Sequence, residues 1–182
     1  MRLNGDGYLD PGIHPATMAD IKTHFVEAFT TSTTRETIIE GYERHTAELQ
    51  QCPVTFEQYL DGSFVSSKID PGDIDLVCIA DADTLDALPP DKQLLIRHLF
   101  RGNATKSTHK CDAYFIASVP DSDPRHHSYW TSRKFWLGCF GFDRADKPKG
   151  FLHVKIEPPP PPPAATVTAD AVSSNSASSA LP

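Results

Sequence analysis

Residues 62–75 read Gly-Ser-Phe-Val-Ser-Ser-Lys-Ile-Asp-Pro-Gly-Asp-Ile-Asp. Gly62-Ser63 is separated by nine residues from Asp73-Ile74-Asp75, residue types that together suit a nucleoside triphosphate. On an extended strand alternate side chains share a face, so Asp73 and Asp75 point together while Ile74 turns away. Neighbouring carboxylates repel unless a cation lies between them, and a hard divalent ion with oxygen ligands, normally Mg²⁺, is the usual solution. A pair of such ions clamps the attacking and leaving oxygens of a phosphoryl displacement. Gly62 lets the backbone approach a phosphate without a β-carbon, and the Ser63 hydroxyl and the amides after it can donate to phosphate oxygens. Lys68, between the two halves, is placed to neutralise triphosphate charge. Pro71-Gly72 is a turn that aims the second half into the site.

This chemistry needs a third carboxylate on a neighbouring strand. Asp112 is the candidate, because it opens the apolar run Ala-Tyr-Phe-Ile-Ala. Taken singly, a DxD in an acidic loop or a Gly-Ser pair in a turn needs no ligand. The informative signal is the order: strand, Gly-Ser, turn, strand with DxD, helix, strand with Asp.

The elements that must carry these residues are legible as periodicities. Thr17 caps a predicted helix over 17–29, with Asp20 three residues later and an apolar stripe of Met18, Ile21, Phe25, Ala28 and Phe29. A second helix is predicted over about 35–51, with Ile38, Ile39, Tyr42 and Leu49 inward and Pro53 as its stop. Strands are predicted at 54–60, 73–80, 111–119 and 151–156, and a helix around Leu94–Leu99 that Gly102 ends. Residues 129–142 are rich in aromatics and fit either type. Trp130, Phe135 and Trp136 there could stack a base, but core packing is the expected role. Strands and helices in this order predict an α/β (α+β) fold.

The chain has 182 residues and a net charge of −7. Residues 1–91 hold 5 basic and 17 acidic side chains, whereas 92–155 hold 12 basic and 5 acidic. An acidic chain is a poor general nucleic-acid binder, but its basic half can hold triphosphate or a short strand. Arg133, Lys134, Lys147 and Lys149 fit that use as well as a solvated face. Arg97 and Arg101, a turn apart, read as surface charges. Cys52, Cys78, Cys111 and Cys139 have no CxxC spacing and read as buried, reduced thiols. A zinc site joining them to His126 and His127 would have no recognisable spacing. Neither a secretory signal nor a membrane-spanning run is apparent, so a cytoplasmic protein without membrane insertion is expected.

Residues 1–157 read as one domain, 158–163 as a polyproline spacer and 164–182 as a flexible Ser/Ala-rich tail expected to be disordered. In polyproline II form the spacer would reach about 19 Å, and a ten-residue flexible segment adds roughly 17 Å, enough to fold back over the domain. On composition alone the tail reads as an inert solubiliser.

Gly62-Ser63, the spacer and Asp73-Ile74-Asp75 resemble the polymerase-β-like nucleotidyltransferase superfamily, over about residues 8–156. Leu60-Asp61, Phe64-Val65, Lys68 and Pro71-Gly72, with Asp10-Pro11-Gly12-Ile13-His14 and Lys149-Gly150, are similar to a small bacterial subgroup. The resemblance implies a palm with a small mixed sheet and flanking helices, and two Mg²⁺ (or Mn²⁺) ions on Asp73, Asp75 and Asp112. It departs from many minimal members, which have Arg-Gly after Gly-Ser where Ser66, Ser67 and Lys68 stand here.

The whole chain is also similar to the nucleotidyltransferase group of the Hailong anti-phage defence system. That likeness implies a template-independent DNA polymerase, with dATP the favoured deoxynucleoside triphosphate, primed by a serine of its own tail. Ser174, Ser176 and Ser178 are the candidate primers. The oligodeoxynucleotide product would then control a HalA-like membrane effector. A toxin or regulator transferring NMP to tRNA or a partner protein is the alternative, and a nucleotide sensor with a decayed site is a third reading. A homo-oligomer stays open.

Overall fold

The computed structural model describes residues 1–158. Its centre is a five-stranded mixed sheet. In chain order the strands are β1 (Gly12–Pro15), β2 (Phe56–Asp61), β3 (Ile74–Asp81), β4 (Cys111–Ser118) and β5 (Gly150–Ile156). Across the sheet they lie β1-β5-β2-β3-β4. β1 runs parallel to β5, β2 antiparallel to both β5 and β3, and β3 parallel to β4. The helices are α1 (Met18–Lys22), α2 (Arg35–Leu49), α3 (Ala82–Asp86), α4 (Pro90–Leu99), α5 (Lys106–His109) and α6 (His126–Gly141). No helix among the described residues is long and apolar enough to cross a membrane.

One face of the sheet packs on α1, α2 and α4. Ile38, Ile39, Tyr42 and Leu49 recur at helical spacing on α2 and are all buried, against Leu60, Leu76, Cys78, Leu152 and Val154. Each such side chain stabilises the fold by roughly 1.5–3 kcal/mol through burial. Tyr42 also hands its hydroxyl to Gln58 Oε1 at 2.6 Å, so the polar atom it carries into the core is paired. The opposite face is smaller: Tyr59, Val77, Ile79, Ile116 and Phe151 pack beneath Phe140 of α6. β3 is therefore covered on both sides, which is why its sequence reads as an apolar run and not as an alternation.

Most expected elements occupy their places, with three additions: β1, α3 and α5. Each is only four or five residues long, too short to show a period. The predicted 17–29 helix opens with the Thr17–Asp20 capping box, but α1 gives way to a π-helical turn over Thr23–Glu27. The ambiguous aromatic stretch is helical, in α6. Of the three aromatics expected in the core, Trp136 packs on the cluster around Phe140 and lies against Tyr114 with ring centres 4.6 Å apart, whereas Trp130 and Phe135 are 50% and 62% exposed. All four cysteines are free, and Cys139 is exposed, against the expectation of burial.

Candidate metal centre

Strand register assembles the site. Parallel pairing sets Asp75 beside Asp112, and antiparallel pairing sets Asp61 beside Asp75. Asp61, Asp75 and Asp112 thus form a row at one end of three adjacent strands. Asp73 lies one residue before β3, on the same side as Asp75 by alternation. One carboxylate oxygen each from Asp73, Asp75 and Asp112 falls within 4.8 Å of the others. Among the described residues this is the group of three or more ligand-type side chains close enough to hold a metal ion.

The electrostatics are those of a cation site. Burial, reinforced by Asp73 and Asp112, pushes the Asp75 carboxyl up to about 6. Lys106, the first residue of α5, answers that charge: its ammonium lies 2.5 Å from Asp73 Oδ2 and 3.0 Å from Asp112 Oδ2. Those contacts, the hydrogen bond to Asp73 foremost, raise the ammonium well above the ordinary lysine range. One charge does not satisfy three carboxylates. Asp112 Oδ1 is buried without a hydrogen-bond partner. An orphaned anionic oxygen in a cluster of hard oxygen donors fits a divalent cation.

Backbone geometry explains Gly62. Its φ of +82° and ψ of −166° lie in a region open essentially to glycine, and a β-carbon there would sit 1.9 Å from Asp75 Oδ2. The loop that follows is held by a buried arginine at the start of α2. Arg35 donates to the carbonyls of Phe64, Ser66, Lys68 and Ile69, and to that of Phe25. Its guanidinium also lies over the Phe29 ring, 3.7 Å from the centroid. Beside Gly62, Asp61 and Lys149 form a buried ion pair that ties the end of β2 to the start of β5.

Gly62, Asp73, Asp75 and Asp112 are therefore brought together. Ser63 heads a 3-10 turn, Ser63–Val65, and its carbonyl accepts the Ser66 hydroxyl at 2.7 Å. Lys68 is exposed, and it is its main chain that the fold engages, through Arg35 and Ser66 Oγ. Ser174, Ser176 and Ser178 lie outside the described residues. Lys149, expected on a basic surface, is buried against Asp61, because an ammonium beside a buried carboxylate offsets its desolvation. Sequence reasoning missed Lys106 and Arg35. Lys106 sits on a four-residue helix without a pattern, and Arg35 gave no sign of burial beyond its place at a helix start.

The fold and site define a mixed α/β domain with an aspartate triad at a sheet end, suited to a metal ion. The chain belongs to DUF6932, a family of unknown function, which it matches over residues 1–155. Neither a curated protein nor a solved structure matches it.

Proposed function

We propose that this protein is a Mg²⁺-dependent nucleotidyltransferase with a polymerase-β-like palm. Specifically, it would be a template-independent DNA polymerase, favouring dATP and primed by a tail serine. The observation that carries the reading is the triad: Asp73 and Asp75 flank one strand start, Asp112 opens its parallel neighbour, and Gly62 closes against Asp75. Mg²⁺ on these carboxylates would supply charge neutralisation for the triphosphate and a clamp on the reacting oxygens. The chain's own part is positional. Register fixes the carboxylates, Gly62 leaves room for the Asp75 carboxylate, and Arg35 holds the Ser63–Ile69 loop that would face the phosphates. A serine hydroxyl needs activation to attack, and the metal-bearing site would provide it.

The resemblance to the Hailong nucleotidyltransferase HalB supports the serines Ser174, Ser176 and Ser178 as primers and an oligodeoxyadenylate product acting on a HalA-like membrane effector in anti-phage defence. The test is incubation of the full chain with Mg²⁺ and each labelled dNTP or NTP, without primer, followed by denaturing electrophoresis and intact mass. A protein-linked ladder in dAMP steps is expected, lost in Asp73→Ala and in the variant with all tail serines changed to alanine. No ladder, or one indifferent to the serine changes, overturns self-priming. Label on an added tRNA or protein, indifferent to removal of residues 158–182, would favour the alternative acceptor.

A further inference from the structure

Lys106 joins two segments that the metal reading needs to hold apart from each other's charge. It contacts Asp73, before β3, and Asp112, on β4. The ammonium therefore stands within the cluster whose ligand oxygens lie within 4.8 Å of one another. A cation bound to all three carboxylates must sit beside an ammonium that already holds one oxygen each of Asp73 and Asp112. The backbone of α5 is fixed by other means. Gly41 of α2 approaches His109 so closely that a β-carbon there would sit 2.3 Å from its carbonyl oxygen. Arg44 donates to the Thr108 carbonyl at 3.3 Å, and His109 pairs with Glu48. The lysine side chain, by contrast, is 34% exposed. Its stem can swing towards solvent while α5 stays seated.

We infer that Lys106 is the resident counter-cation of the triad, displaced by the incoming divalent ion and transferred to the phosphates of the nucleotide; this rests on the metal and nucleotide reading proposed above. Without nucleotide, metal entry breaks two charge-assisted contacts of Lys106 and brings like charges together. With a triphosphate present, the displaced ammonium gains a new anionic partner. Metal and nucleotide then bind with positive coupling, and Lys106 carries part of that coupling. The residue keeps the metal-free carboxylates from repelling one another and biases the site towards binding both ligands together.

The test is Mn²⁺ binding to the full chain by electron paramagnetic resonance, with and without a non-hydrolysable α,β-imido analogue of dATP. Without nucleotide, Lys106→Met should bind Mn²⁺ more tightly than wild type, by a factor on the order of ten. With the analogue, the wild-type affinity should rise by more than that of the variant. Lys106→Gln keeps an N–H donor for Asp73 and carries the same expectation, should the Met variant not fold. A thermal-shift series gives a second readout: Mn²⁺ should raise the melting temperature of either variant more than that of wild type. Equal or weaker Mn²⁺ binding in the variants, with wild type binding normally and Asp73→Asn not, overturns the competition and leaves the metal centre standing. Absence of Mn²⁺ binding in wild type and variants alike overturns both.

Discussion

A β-carbon at position 62 would lie 1.9 Å from Asp75 Oδ2, on a backbone with φ of +82°. Both faults arise in one substitution. Gly62→Ala should cost roughly 2–5 kcal/mol from backbone strain and overpacking together. It should also turn Asp75 out of line with Asp73 and Asp112. Urea denaturation checks the first, and loss of Mn²⁺ binding by the refolded variant checks the second. Asp75 illustrates the opposite exchange. Its carboxyl is pushed up to about 6, so ionisation at neutral pH works against the fold. Asp75→Asn should therefore stabilise the metal-free protein at pH 7 by about 1–2 kcal/mol, after discounting for partial exposure. The same change should abolish nucleotidyl transfer. A lower melting temperature than wild type in EDTA would contradict this account of Asp75 as a destabilised, function-bearing anion.

At the scale of elements, the loop between β2 and β3 has little regular structure and relies on Arg35 from α2. Five carbonyls accept from this guanidinium, which burial brings down to about 10. Lysine has three donors on a flexible stem and cannot reproduce a planar fork. Arg35→Lys should cost roughly 2–5 kcal/mol and speed hydrogen exchange across residues 63–70 while α4 and α6 stay protected. Uniform loss of protection would mean Arg35 is only a global core residue. This connection also marks the limit of what the sequence disclosed. Asp73 and Asp75 were legible because strand alternation and the chemistry of paired carboxylates constrain them locally, Asp112 because that chemistry asks for a third carboxylate and this one opens an apolar strand, and Gly62 from its pairing with Ser63 ahead of the spacer. The helix and strand cores were legible from local pattern as well: α2 shows its buried stripe at period 3.6 and β3 its double burial as an apolar run. Arg35, Lys106 and Lys149 were not, since each owes its role to a partner 34, 33 and 88 residues away (Ile69, Asp73 and Asp61) and no local period records such a partner. The exposed Trp130 and Phe135 fail for a related reason: α6 has aromatics around its circumference, so composition does not say which side meets the sheet.

Across the whole molecule, a buried histidine and a half-buried carboxylate on opposite sides of the sheet set opposing responses to acid. His45 of α2 is buried, donates from Nε2 to the Leu99 carbonyl at 2.9 Å, and leaves Nδ1 unpartnered. Burial, with a smaller contribution from His109, brings it down to about 4. Between its ordinary value near 6.5 and about 4, the unfolded chain takes up a proton that the folded chain refuses. Stability from this group is fully present above pH 6.5 and falls on acidification, by about 3 kcal/mol in all. Asp75 runs the other way. Its folded value of about 6 exceeds its model-compound value of 3.8, so the folded chain holds the extra proton in that window and gains stability as pH falls. Asp61, raised by burial, acts in the same sense. The two responses overlap between pH 6 and 4, so metal-free wild type should lose only about 1–2 kcal/mol between pH 6.5 and 4. His45→Gln, which keeps an N–H for the Leu99 carbonyl, should show flat or rising stability over that range. Asp75→Asn should show a steeper loss than wild type, approaching the His45 contribution. Urea denaturation at half-unit steps from pH 4 to 7 in EDTA resolves all three curves. A His45→Gln curve parallel to wild type would assign the acid response to other groups, and an Asp75→Asn curve no steeper than wild type would remove the carboxylate cluster from the balance.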